Sequence, residues 1–283
     1  MNPETGARST ARPATDAAGE GAASARPSLG RLRQWSAAAA AGALPPALLL
    51  ATLFAAWELY VELSGISPVT LPAPSRVAEV AYENRGALWD HSLVTVKEAI
   101  IGLAVSVAIG VAFALLIDAF APARRALYPL LVGSQTVPIV VIAPLLILWF
   151  GFELTPKIVV VTLYTFFPIT VAFASGLAAT DAEALVLMRT LGASRIQTLR
   201  LLRVPQALPY LFAGLRIAVT YAIVGAVFAE WSGATRGLGI YVLLMKNSFR
   251  TDLVFTGIFL IALLSLLLFL LVGLVERLMV RWR

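Results

Sequence analysis

The stretch EALVLMRTLGASRIQTLRLLRVPQALP, residues 183–209, is a basic, helix-prone segment that lies between two strongly apolar parts of the chain. Ser194 and Gln197 have the S-x-x-Q spacing of a capping box, in which the two residues satisfy each other's amide groups at a helix start. Gly192 precedes this pair and can end an earlier helix in the left-handed conformation. The stretch therefore predicts two helices joined by a glycine turn.

The pattern also predicts the bounds of these two helices, about 182–191 for the first and about 194–203 for the second. Proline lacks a backbone N–H, so we expect Pro205 and Pro209 to stop the second helix and to open the next apolar run. A basic amphipathic helix of this kind is typical of an interfacial helix on anionic lipid, and equally of a docking element for a partner. Periodicity alone does not separate the two interpretations.

The composition indicates a membrane protein. Of the 283 residues, 59% are hydrophobic and 13% charged, and the mean hydropathy is +0.85. Soluble domains carry about 25% charged residues. The net charge of +6 lies mostly in short stretches between apolar runs, which argues against nucleic-acid binding. The absence of cysteine excludes disulfides and thiolate chemistry, and a single histidine, His91, gives no basis for a histidine-based metal site.

Six apolar stretches are long enough to cross a bilayer, which requires about 20 residues as a helix. The sequence thus predicts an all-α integral membrane protein with six transmembrane helices. Pro138 and Pro144 in the third stretch and Pro168 in the fourth are expected to kink their helices. The approximate bounds are 43–63, 92–117, 127–151, 157–177, 208–231 and 253–275.

The N-terminal residues 1–34 are rich in Ala, Gly, Pro, Ser, Thr and Arg, and they predict a disordered tail ahead of a membrane domain over residues 35–283. A signal peptide is the alternative, but the apolar run is long and fits an uncleaved helix better. Fourteen basic residues fall in the tail, after the second and fourth spans and at the C-terminus, against six on the other side. This bias predicts that both termini are cytoplasmic.

The opening stretch resembles the coupling loop of bacterial ABC-transporter permeases, the membrane subunits of binding-protein-dependent importers. In that family an acidic-alanine-alanine element is followed by a glycine and by an isoleucine-x-leucine-proline ending. Gly192 matches the glycine, and LRVP, residues 202–205, matches the ending conservatively. The acidic-alanine-alanine element is replaced by residues 186–188 (VLM), with Asp181 and Glu183 out of register.

The resemblance extends from about residue 50 to the C-terminus. Its branch is the one that serves sulfonates, taurine, nitrate and thiamine-precursor pyrimidines, and the pyrimidine members are the most similar around AEWSGATRGLG and FRTDLVF. The segments that carry it are TVPIVVIAPLLILWFGFELTPKIVV (136–160), FFPITVAFASG (166–176) and LPYLFAGLRIAVTYAIVGAVFAEW (208–231).

The resemblance implies a subunit of an ATP-driven importer in the bacterial cytoplasmic (inner) membrane, moving a small polar solute. It also implies three partners besides membrane lipid: an ABC ATPase that holds ATP and Mg²⁺, an extracytoplasmic substrate-binding protein, and a second permease copy. The implied coupling loop covers about 181–205, with candidate residues Asp181, Glu183, Arg189, Gly192, Ala193, Ser194, Arg195 and Pro205.

The residues independently indicate that this chain does not hydrolyse ATP. A P-loop needs glycine followed by lysine and Ser or Thr, and none of Lys97, Lys157 and Lys246 follows a glycine. We therefore expect that this chain has no enzymatic activity and binds no cofactor. The alternative function is an ion-gradient-driven secondary transporter, which needs ionisable residues within the membrane. Glu58 and Glu98 are expected near the outer surface, which leaves no evident relay at the midplane.

Candidate residues for the translocation path are polar or aromatic side chains in the third and fifth spans: Gln135, Thr136, Thr220, Tyr221, Glu230 and Trp231. Each has a structural alternative. Gln135 and Thr136 can bond a kink at Pro138, and Trp231 can be an interfacial anchor. Glu230 is either a surface carboxylate paired with Arg236 or part of an outer gate. Small residues of the fifth span, such as Gly214 and Gly225, are typical of close helix packing.

Overall fold

A computed structural model describes residues 29–280, and within that range all the regular structure is helical. The helices are α1 (Leu29–Ser64), α2 (Pro74–Glu83), α3 (Arg85–Ala119), α4 (Ala121–Ser134), α5 (Ile139–Phe150), α6 (Leu154–Ala178), α7 (Ala182–Thr190), α8 (Arg195–Thr198), a π-helix (Leu199–Arg203), α9 (Val204–Trp231), α10 (Leu238–Asn247) and α11 (Thr251–Met279).

The chain divides into two units, residues 1–55 and residues 56–283. The described part of the first unit is the N-terminal portion of α1. Most of the predicted disordered tail lies outside the described residues, and residues 29–34 at its end are helical. The second unit contains the end of α1 and all later helices.

The membrane spans agree with the sequence prediction in number when one broken span is counted. Five described helices are long and apolar enough to cross a bilayer, and a bent pair brings the number to six. That pair, α4 and α5, replaces the predicted third span, and the two helices meet at 98°. The prediction of one kinked helix is therefore wrong. Pro138 caps α5 with an extended ψ of 108°, and proline disfavours the helical conformation at Val137 before it.

Two short helices between spans were not predicted. Pro74 opens α2, where its missing N–H costs nothing, and Gly237 precedes α10 with a φ of +128°. Both helices have ten residues, which is too short to cross a bilayer. They fill the segments before α3 and after α9.

The core is built around α6, which packs against α3 on one side and α9 on the other. Glycines allow the close approach: a Cβ at Gly102 would lie 2.5 Å from the Val161 side chain, and one at Gly214 would lie 2.7 Å from the Pro168 carbonyl oxygen. At Gly225 a Cβ would lie 3.1 Å from the Tyr164 ring. The packing interpretation of Gly214 and Gly225 is thus confirmed.

Candidate coupling loop and transport path

The first half of the loop is α7, a helix that is capped at both ends. Asp181 accepts a hydrogen bond from Glu183 N at 3.1 Å. At the other end Gly192 has a φ of +74°; its N–H donates to Arg189 O, and that of Ala193 donates to Met188 O, each at 3.0 Å. These two bonds form a Schellman motif, which requires the left-handed residue that glycine supplies. The predicted glycine turn is confirmed.

The second half begins with the predicted capping box. Gln197 N donates to Ser194 Oγ at 3.2 Å, and Ser194 N donates to Gln197 Oε1 at 2.8 Å. The pair satisfies two amide groups that a helix start would otherwise leave unpaired.

The second helix does not stop at Pro205, so that prediction is wrong. α8, the π-helix and α9 form one continuous helix from Arg195 to Trp231. Pro205 cannot donate to Leu201 O, and its ring would press on that carbonyl in a regular α-helix. The wider π turn over Leu199–Arg203 lies next to Pro205 and accommodates this defect without breaking the helix. The loop and the fifth span are consequently one mechanical element.

Arg203 fastens this element to the two neighbouring spans. Its guanidinium donates to both carboxylate oxygens of Asp118 at 2.7 Å and to Leu177 O at 2.9 Å. Asp118 is at the end of α3 and Leu177 at the end of α6. A bidentate pair fixes orientation as well as distance, so the base of α9 is held against both helices.

The loop itself presents uncovered apolar side chains. Val186, Leu187, Leu191 and Ile196 are all exposed, and no residue of α7 or α8 is buried. Apolar residues grouped on an exposed surface indicate contact with a partner or with lipid. Both interpretations of the loop are compatible with this surface.

One exposed stripe on α9 carries three of the predicted path residues. Its residues recur every three or four positions, as on one helix face: Tyr210, Ala213, Ile217, Thr220, Tyr221, Val224 and Trp231. By contrast, the exposed positions of α11 from Ile258 to Val275 are exclusively apolar. Trp231 at the end of α9 fits a membrane interface as well as a protein contact. The hydroxyls of Thr220 and Tyr221 lie within the span, where lipid offers them no partner, so this part of the stripe has the character of a polar path or a protein contact.

Two further exposed path candidates, Gln135 and Thr136, lie at the break between α4 and α5. Thr136 Oγ1 donates to Gly133 O at 2.8 Å, and Gln135 Nε2 donates to Ser134 Oγ at 3.4 Å. Both bonds stay within the break beside Pro138, which agrees with the alternative that these side chains stabilise a kink. Both side chains are nevertheless exposed.

Glu230 is fully buried, so its interpretation as an exposed carboxylate paired with Arg236 is wrong. Thr95 Oγ1 donates to its Oε1 at 2.6 Å, and Gly239 N donates to its Oε2 at 2.5 Å. Gly237 packs directly on the carboxylate, where a Cβ would overlap it. Glu230 therefore binds the turn between α9 and α10.

A second buried carboxylate, Glu98, interacts with Glu230 and pairs with Lys157 Nζ at 2.8 Å. Glu98 is 1% exposed, so its side chain faces the interior of the protein. Together Glu98, Lys157 and Glu230 form what we call the buried charge cluster. It joins α3, α6 and α9.

α3 contributes two further contacts to the same turn. Leu238 N donates to Thr95 Oγ1 at 2.8 Å, and His91 Nδ1 lies 3.0 Å from Gly237 N. The sequence contained a signal for this arrangement: His91, Thr95 and Glu98 are spaced i, i+4 and i+7 and share one helix face. No comparable signal marks Lys157.

These features define a multi-pass helical membrane protein whose exposed helical loop is continuous with a central span. Residues 104–281 match the family described as binding-protein-dependent transport system inner membrane component, and the chain belongs to that family. The resemblance found in the sequence is confirmed, and the protein is a multi-pass protein of the inner membrane.

Three relatives cover most of the chain. The formylaminopyrimidine transport permease protein ThiX of Halalkalibacterium halodurans is 38% identical over 85% of this chain and 96% of its own length. The riboflavin transport system permease protein RibX of Chloroflexus aurantiacus is 37% identical over 84% and 89%. The taurine transport system permease protein TauC of Escherichia coli is 31% identical over 82% and 87%.

Two solved structures share the fold. One is a crystal structure of an amino acid ABC transporter with histidines, which has a TM-score of 0.55 and 17% identity over 72% of this chain and 96% of that chain. The other is the inward-facing MetNI methionine ABC transporter, with a TM-score of 0.55 and 18% identity over 71% and 98%. The likeness concerns the fold alone.

Proposed function

We propose that the chain is the membrane-spanning subunit of an ATP-driven importer, which receives a small polar solute from a binding protein. The observation that carries this proposal is the continuous helix Arg195–Trp231. One end holds the exposed loop, the middle presents the stripe with Thr220 and Tyr221, and the other end holds Glu230. Force applied at the loop is transmitted along α9 to the path and to the far turn.

The force comes from a separate ATPase that binds ATP and Mg²⁺. The chain has no lysine in a P-loop context, so it has to obtain this energy elsewhere. The exposed apolar residues of α7 and α8 and the capped glycine turn suit a docking surface of defined shape. With both termini in the cytoplasm, as the distribution of basic residues favours, this surface faces the compartment that contains ATP.

A second copy of the chain completes the path. The α9 stripe exposes tyrosine, threonine and tryptophan in a single molecule, whereas the path of a transporter has to be enclosed. Two copies that face each other through their α9 stripes would enclose it from both sides.

The cargo we propose is a thiamine-precursor pyrimidine. ThiX and RibX are named for a pyrimidine and a flavin and are 38% and 37% identical to this chain, whereas TauC is 31% identical. Sulfonates, taurine and nitrate remain the comparison substrates for the test.

The alternative, a transporter driven by an ion gradient, has one observation in its favour. Glu98 and Glu230 are buried carboxylates in spans, as ion relays require. However, Lys157 pairs with Glu98. Thr95 and the amide of Gly239 bind both oxygens of Glu230, so this carboxylate holds the turn between α9 and α10.

Reconstitution tests the proposal. Proteoliposomes should contain the chain with its ATPase, and uptake of labelled formylaminopyrimidine should be measured with the loaded binding protein outside. We expect uptake that requires ATP on the loop side and persists when ionophores collapse ion gradients. Uptake without ATP that ionophores abolish would establish the alternative. Equal uptake of taurine would refute the cargo assignment while leaving the ATP-driven mechanism intact.

A further inference from the structure

A cleft of about 890 Å³ lies at the loop end of the bundle, between the end of α3, the start of α4 and the end of α6. Its polar lining includes Asp118, Arg124, Arg125 and Ser175. None of these was part of the coupling loop or the path. Asp118 nevertheless connects the cleft with the base of the continuous helix through its pair with Arg203.

The cleft carries two uncompensated positive charges. Both carboxylate oxygens of Asp118 bind Arg203, so that pair is neutral. Arg124 and Arg125 are exposed, and none of the ion pairs found between residues 29 and 280 includes them. They are the fourth and fifth residues of α4, near the end where the helix dipole is positive and disfavours cations. An anion bound there would relieve both sources of repulsion.

The rest of the lining is apolar and belongs to spans. Ile117 of α3 and Val171 and Ala174 of α6 form a wall beside the arginines. A free phosphate gains nothing from such a wall, whereas a lipid has an acyl chain to place against it. The ends of spans also lie at the depth of the headgroups. The arginines match the phosphate of a phospholipid, and the adjacent apolar wall matches its acyl chain.

We propose that this cleft binds an anionic phospholipid of the leaflet at the loop end. Arg124 and Arg125 hold its phosphate, and an acyl chain lies along Val171 and Ala174. Asp118 lines the cleft and also anchors Arg203, so the bound lipid lies beside the base of the continuous helix. Binding there supports the base of the coupling element.

The test measures lipid retention by native mass spectrometry of the full chain in nanodiscs of phosphatidylcholine with added phosphatidylglycerol. We expect the wild type to retain phosphatidylglycerol in preference to phosphatidylcholine. Each basic residue contributes about a 5-fold gain in affinity, so Arg124→Gln with Arg125→Gln should lose about 25-fold. Arg277→Gln is the matched control, because Arg277 is an exposed arginine at the end of α11.

A second variant tests the shape of the cleft without changing its charge. Ala178 is an exposed lining residue, so Ala178→Phe fills the cleft and leaves the core in place. We expect it to lose phosphatidylglycerol selectivity as the double variant does. Elution volume and thermal unfolding of all variants should match the wild type.

Three outcomes would overturn the proposal. They are equal retention of phosphatidylglycerol by wild type and double variant, an equal loss in Arg277→Gln, and displacement of the lipid by the same concentration of inorganic phosphate. If the first outcome comes with lost co-purification of the ATPase, the arginines belong to the contact with that partner.

Discussion

Gly192 is the residue on which the geometry of the loop depends. Its φ of +74° closes the Schellman motif, and a Cβ there would meet no atom within 4 Å. Any cost of substitution is therefore conformational. We predict that Gly192→Val strains the turn by about 1–2 kcal/mol, because L-residues disfavour the left-handed region. ATP hydrolysis should continue while uptake is lost, as an ATPase and uptake assay on the same proteoliposomes would show.

Gly86→Val is the matched control for that experiment. Gly86 also has open space at its Cβ position, but its φ is not in the left-handed region. The Gly86→Val variant should insert and transport normally. Normal uptake by Gly192→Val would argue against a docking role for the turn.

Glu230 is a second residue for which the surrounding hydrogen bonds determine the effect of a substitution. Glutamine has one acceptor oxygen, so in Glu230→Gln either Thr95 Oγ1 or Gly239 N loses its acceptor. A buried group left unsatisfied costs about 1–3 kcal/mol. We predict lower thermal stability, lost uptake and an ATPase rate that no longer responds to the loaded binding protein. Arg236→Gln should behave as wild type. Uptake and an ATPase response near wild type in Glu230→Gln would instead favour the interpretation of a surface carboxylate.

Lys157 compensates the charge of Glu98 in the buried charge cluster. Lys157→Met leaves a buried carboxylate unpaired, which costs about 3–5 kcal/mol. We predict that Glu98→Gln, added to Lys157→Met, recovers most of that loss. Thermal unfolding of the four proteins of this double-mutant cycle measures the coupling. Additive losses in the double variant would mean that the two side chains do not stabilise each other.

At the scale of elements, the anchor between Arg203 and Asp118 holds the continuous helix to α3 and α6. Arg203→Lys keeps the charge and loses the bidentate geometry. We predict reduced uptake with ATP hydrolysis retained, because the base of α9 is no longer held in one orientation. Arg277→Lys, an exposed change at the same end, should leave uptake unaltered. Wild-type uptake by Arg203→Lys would show that charge alone suffices.

For the whole molecule, the central prediction is orientation. The natural chain has no cysteine, so single cysteines report cleanly. Ser194 and Asn247 are both exposed, the first in the loop and the second at the end of α10. We predict that impermeant thiol reagents label Ser194→Cys only from the cytoplasm and Asn247→Cys only from outside. The reverse pattern would invert the molecule and remove the loop from the compartment of ATP.

Local features were predictable from the sequence because their partners are close along the chain. The capping box of Ser194 and Gln197 and the turn at Gly192 involve residues within five positions of each other. The spans were predictable from length and hydropathy, because backbone groups in hydrocarbon have to be hydrogen-bonded within the protein and an apolar run of about 20 residues achieves this as a helix. These features determined the helical membrane class and the shape of the loop.

Three features were decided by tertiary structure. Proline signals a defect in hydrogen bonding, but neighbouring packing decides the result: Pro138 marks a 98° break, whereas the helix passes through Pro205. The burial of Glu230 depends on Thr95 and Gly239, and Thr95 is 135 positions away in sequence. The charge of Glu98 is tolerated because Lys157 of another helix meets it. Sequence determines which groups need partners, and only the packed helices determine which partners they find.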